Sequence, residues 1–127
     1  MNKLLTTILM LCLPMAAMGE TFACTSTYGA LINGDGIVIQ GSDNLSYVVD
    51  TRRGLRVPTL DGVSQDYIGE CEVSSIQNAL NAFCTAQIRV FRHSIEVNKL
   101  TTGEIKFVSS RYFNSINGAY AGTCIEL

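Results

Sequence analysis

Ile88-Arg89-Val90-Phe91-Arg92-His93-Ser94-Ile95-Glu96-Val97 decides the class of fold. Arg89, Phe91, His93, Ile95 and Val97 fall on one side, and Ile88, Val90, Arg92, Ser94 and Glu96 on the other. A period of two is the signature of a strand with one face turned to a core, and the β-branched and aromatic residues suit it. The turn expected over 98–103 then leads into a second short strand, Ile105-Lys106-Phe107-Val108. A third covers 111–116. Asn117-Gly118 reads as a two-residue hairpin turn, after which 119–127 closes the chain.

Upstream of Ile88 the same punctuation recurs. Tyr28 to Ile32 runs into Asn33-Gly34-Asp35-Gly36, a second hairpin signal, and Ile37-Val38-Ile39 returns. Leu45 to Thr51 forms a further strand with Tyr47 and Val49 on one face; Arg52-Arg53-Gly54 turns it and Leu55 to Val57 follows. Pro58 and Asp61-Gly62 end that section, and 67–73 reads as extended. In 74–86 the periods conflict. Ser75, Ile76, Ala79, Leu80 and Phe83 stand at helical spacing with Ser74 or Ser75 as a cap, so a short helical turn or loop is expected before a strand through Cys84. Short strands separated by turns, with two prolines in the whole chain, predict a small antiparallel sandwich or barrel with at most one short helix.

The N-terminus reads as an export signal over 1–19. Lys3 supplies the positive start, Leu4 to Met18 is almost wholly apolar, and Ala17-Met18-Gly19 offers the small residues of a cleavage site before Glu20. The apolar run is shorter than the roughly 20 residues that a membrane span needs. A single domain over 20–127 is then expected, periplasmic or secreted, without stable membrane insertion once the signal is removed. Eight basic residues face eleven acidic ones there, a net charge of −3, which excludes general nucleic-acid binding and a polybasic membrane patch.

Cys24, Cys71, Cys84 and Cys124 remain after the signal, an even number in a chain bound for an oxidising compartment. Two disulfides are expected. Pairing the first and last strands favours Cys24–Cys124, with Cys71–Cys84 as a local staple; Cys24–Cys71 with Cys84–Cys124 is the alternative.

No pattern carries recognisable chemistry, and no cofactor or metal is expected. The cysteines contain no C-x-x-C pair, and Gly34-Asp35-Gly36 lacks the Lys and helix of a phosphate loop. No twelve-residue acidic calcium loop is present. His93, the one histidine, stands between Phe91 and Ile95 on an apolar face and reads as a packed residue. Asp43, Asp50, Asp61, Asp66, Glu70 and Glu72 read as turn and surface residues, since nothing pairs an acid with a base. No catalytic residue is assigned. Asn44-Leu45-Ser46 matches a glycosylation acceptor.

Arg52, Arg53 and Arg56 surround one hairpin tip and would grip a carboxylate or an acidic partner; Tyr112 and Tyr120 would form an aromatic contact patch across the Asn117-Gly118 turn. In layout, and in Ser109-Ser110-Arg111-Tyr112, the chain resembles the C-type lysozyme inhibitors, small exported barrels stapled by disulfide. It lacks the paired tryptophans of that family, having no Trp, and no family is assigned. The expectation is a non-enzymatic exported binding protein: an inhibitor, an immunity protein or an envelope interaction module with a protein partner in the envelope or outside the cell. A structural or self-assembling envelope component and a small secreted hydrolase are the alternatives.

Overall fold

The computed structural model describes residues 19–36, 38–41, 45–57, 66–77, 79–114 and 116–127; for 38–41 it describes the backbone alone. The Pro58 and Asp61-Gly62 turns, Asp43 and Asn44 lie outside the described residues. Among the described residues there are nine strands: β1 (Thr21–Ile32), β2 (Val38–Gly41), β3 (Ser46–Asp50), β4 (Gly54–Arg56), β5 (Glu70–Ile76), β6 (Ala79–Ile88), β7 (Phe91–Lys99), β8 (Ile105–Phe113) and β9 (Ile116–Glu126). All pairings are antiparallel, in the order β4-β3-β1-β9-β8-β7-β6-β5. The far half of β1 pairs with β2 and its near half with β3, so the nine strands form eight positions around a nearly closed barrel.

The seam lies between β4 and the start of β5. Leu55 and Ile68 exchange both backbone hydrogen bonds there, each at 2.9 Å. Gly54 makes this approach feasible. Its φ of 104° belongs to the left-handed side that glycine adopts freely, and a Cβ would run into the Ile68 carbonyl oxygen.

Both favoured disulfides are present. Cys24 and Cys124 face each other across β1 and β9, and Cys71 and Cys84 across β5 and β6. These bonds are compatible with an oxidising compartment. No helix among the described residues is long and apolar enough to cross a membrane.

Alternation fills the interior. Phe22 and Cys24 on β1, Tyr47 and Val49 on β3, Leu55 on β4, Ala82, Cys84, Ala86 and Ile88 on β6, Ile95 and Val97 on β7, and Ile105 and Phe107 on β8 are all buried. A small barrel is a packed core rather than a pore, and the large side chains at these positions meet that requirement.

Three local expectations are corrected. The segment 74–86 is a β-hairpin with no helix, turned at Gln77 in the left-handed region (φ 51°). The helical spacing there mixes both faces of a strand: Ile76 and Phe83 are exposed, while Ala82, Cys84 and Ala86 alternate inward and Cys84 is tied to Cys71. Second, the strand expected from Ile88 is broken by a two-residue turn at Arg89 and Val90, with Ile88 paired to Phe91. Arg89 has φ 58°, so it does not share a face with Phe91. A conformation costing roughly 1–2 kcal/mol for a non-glycine residue is held by the strands on either side. Third, the last hairpin turns at Asn114 (φ 52°), and Asn117 and Gly118 lie within β9, paired to Tyr112 and Arg111. Gly118 serves close packing: a Cβ would lie 2.9 Å from the Tyr120 ring and 3.0 Å from Leu31 Cδ2.

Candidate functional site

The inward face changes character towards the end of the barrel where β7 starts and β8 stops. Ile95 and Val97 on β7 give way to His93 and then Phe91; Ile105 and Phe107 on β8 give way to Ser109, Arg111 and Phe113. Register sets these side chains beside one another. His93 pairs with Arg111, and Ser109 pairs with Tyr120 of β9. Tyr47 reaches the same layer from β3.

His93 is fully buried, with Nδ1 3.2 Å from the Tyr47 hydroxyl and the two rings edge to face at 5.9 Å. Burial pushes the Tyr47 phenol up to about 12; the nearby Ser109 hydroxyl and the Arg111 charge oppose that rise without cancelling it. Burial, helped by the positive charge of Arg111, holds His93 down at about 4. The pair is therefore neutral at pH 7. Which ring nitrogen carries the proton follows from whether the phenol donates or accepts in that contact. Nε2 is buried and meets no hydrogen-bond partner among the described residues.

Arg111 roofs this layer. It is half-buried, Nη2 donates to the Tyr120 hydroxyl at 2.8 Å, and the guanidinium lies 5.1 Å from the Phe91 ring centre and 5.5 Å from that of Tyr120. Phe113 stacks edge-on against Phe91 at 5.8 Å. Among the described residues no carboxylate pairs with Arg111. The rim thus presents a cation and aromatic rings.

Compared with known proteins, the chain matches no protein family, no curated protein and no solved structure. The site is therefore read from its own chemistry.

The sequence-expected arginines lie elsewhere, at the seam, where Arg53 is engaged within the chain. Arg53 donates from Nε to Asp50 Oδ2 at 3.1 Å and covers the Tyr67 ring at 4.2 Å; Arg56 lies 5.4 Å from the same ring. Arg52 is exposed, and its stem packs against Gly19. Asp50 also accepts from the Arg52 and Arg53 amides and from Thr21 Oγ1. Burial alone would push its carboxyl up, but these hydrogen bonds outweigh it and hold it below the usual carboxylate range.

The aromatic pair separates. Tyr120 is 3 % exposed and points into the barrel, whereas Tyr112 is 45 % exposed on the outside, with Arg92 over its ring at 5.8 Å. Tyr120 therefore cannot share a surface patch with Tyr112: Tyr120 pairs with inward Ser109, and Tyr112 stands three positions, an odd number, beyond Ser109 on β8. Glu70, Glu72 and Asp66 are exposed. Among the described residues no three His, Cys, Asp or Glu side chains converge as a metal site would require.

Sequence reasoning missed Arg111. A signal was present, because Ile105, Phe107, Ser109, Arg111 and Phe113 alternate in phase, so a serine and an arginine interrupt an otherwise apolar inward face.

Proposed function

We propose that the protein is an exported, non-enzymatic binding module that engages a protein partner outside the cytoplasm, as an inhibitor, an immunity protein or an envelope interaction module. The observation that carries this reading is the composition of one barrel end. Arg92 and Tyr112 stand outside the rim while Arg111, Phe91 and Phe113 line its inner side, on a scaffold held by two disulfides. Arginine and aromatic residues are the types enriched at interface centres, and a rigid scaffold presents them with little ordering cost.

Capture from envelope and secreted fractions on the immobilised, oxidised protein tests the reading. The expected result is one stoichiometric protein, retained by wild type and lost from the double variant Arg92→Glu, Tyr112→Ala. Retention by both, or no specific protein, would overturn it. A self-assembling component is the second reading. It is favoured by β5, the last strand of the sheet order, which exposes Val73 and Ile76 beside a free edge. Concentration-dependent oligomers by light scattering would favour it over the first.

A further inference from the structure

The mouth of the barrel holds polar groups that the described chain leaves unanswered. Arg111 uses one of its five N–H groups on Tyr120 and meets no carboxylate. Beside it, opposite across β7 and β8, His93 Nε2 on a fully buried ring meets no partner among the described residues. Buried polar groups are nearly always satisfied, so a buried orphan beside a half-open guanidinium points to something that enters from outside. The guanidinium fork suits an oxygen anion, and a carboxylate best because its paired N–H groups match two oxygens. The walls narrow the choice further. Phe91 and Tyr120 lay aromatic surface against the cation, with Phe113 packed on Phe91, which favours an anion carried on an apolar stem over a small hydrated ion.

We propose that Arg111, set between Phe91 and Tyr120 at the mouth of the barrel, receives a carboxylate carried on an apolar stem. The proposal deepens the binding-module reading and rests on it for the source of the carboxylate, an acidic side chain of the partner. Arg53 at the seam is a poor candidate for the same role, since it is already committed to Asp50 and Tyr67.

Titration of the isotope-labelled, oxidised full chain by NMR tests it, reading the Arg111 Nε–H and the His93 ring. The probes are benzoate, its uncharged analogue benzamide, the blocked dipeptide N-acetyl-Phe-Glu-amide, and sodium chloride at matched ionic strength. Saturable shifts centred on Arg111, His93 and Tyr120 are expected with a carboxylate probe and not with benzamide or chloride. Arg111→Gln should abolish them, and Arg111→Lys, which keeps the charge but not the fork, should weaken binding about tenfold. If Arg111→Gln does not fold, Arg111→Lys decides alone: affinity equal to wild type overturns the proposal. Carboxylate shifts no different from those of chloride also overturn it. Tighter binding of the dipeptide than of benzoate assigns the site to a protein partner, and the reverse assigns it to a free acid. Carboxylate binding without any captured protein leaves the site standing and removes the protein-partner reading; a captured partner held equally by Arg111→Lys does the opposite.

Discussion

The seam and the mouth of this barrel both contain arginine, tyrosine and a buried polar group, yet they differ in how those groups are answered. At the seam, Asp50 accepts from two backbone amides, Thr21 and Arg53, and Arg53 closes over Tyr67. At the mouth, Arg111 meets one phenol, and the buried His93 Nε2 beside it meets no partner among the described residues. The contrast separates two uses of one residue type. An arginine that brings its own acid nearby in sequence, as Arg53 does with Asp50 three residues away, works for closure. An arginine placed without an acid inside an aromatic ring of strands is left with donors to offer.

The largest expected effect falls on the ties that hold the two regions in one frame. Cys24–Cys124 spans a separation of 100 residues and joins the first strand to the last; Cys71–Cys84 spans 13 and anchors β5 close to the seam. On the chain-entropy account the first contributes about 4–5 kcal/mol and the second about 3 kcal/mol. Replacing Cys24 and Cys124 with serine should therefore cost more stability in urea than replacing Cys71 and Cys84. The reverse order would place the critical tie at the seam and weaken the view that the seam largely closes itself through Asp50 and Gly54.

What was legible in the sequence divides along the same line. Period-two alternation in 91–97 and 105–108, the facing of Tyr47 and Val49, and the inference that first and last strands pair were enough for an antiparallel barrel or sandwich and its disulfides. Local turn chemistry was less reliable. Arg89 carries no sign of a turn because its positive φ is imposed by the register of β6 and β7, and Asn117-Gly118 carries a false one because its glycine is needed for the Tyr120 ring. The 74–86 segment was misread because a short apolar set satisfies two periods at once, and only the cross-strand partners of Ala82 and Cys84 choose between them. The arginine cluster was visible as a cluster, but its commitment to Asp50 and Tyr67 depends on strand closure. Arg111 was overlooked because one charged residue in a strand reads as an outward one until the phase of its neighbours is followed.

A second effect distinguishes the mouth from the seam by pH. His93 is held down at about 4 by burial and by Arg111, against 6.5 for an unperturbed imidazole. The unfolded chain therefore takes up its proton first, and stability falls as pH drops from about 6.5 towards 4. The difference corresponds to about 2–3 kcal/mol after allowing for partial hydration of the layer. Asp50 also loses stability in acid, because its carboxyl is held below the ordinary value of 3.8, but that loss begins lower on the pH scale. Urea unfolding at pH 7, 5.5 and 4.5 should show the decline in wild type and a much flatter profile in His93→Gln. An equal decline in the variant would mean that the mouth is not the acid-sensitive region.

The smallest effect tests whether the seam arginine is structural at all. Arg53 is 62 % exposed at its side chain, so its pair with Asp50 is largely screened by water, and the stack on Tyr67 adds a cation–π contact at a partly wet site. Together these contribute about 0.5–1 kcal/mol. Arg53→Ala should lower stability by that amount and leave partner and carboxylate binding unchanged, because the Asp50 carboxylate retains the backbone amides and Thr21 that hold it. Arg111→Lys should do the converse, with carboxylate binding weakened while stability moves little. If Arg53→Ala instead abolished binding with stability intact, the tip of the β3–β4 hairpin would be a contact surface as its sequence first suggests, and the division between a closing region and a receiving region would fail.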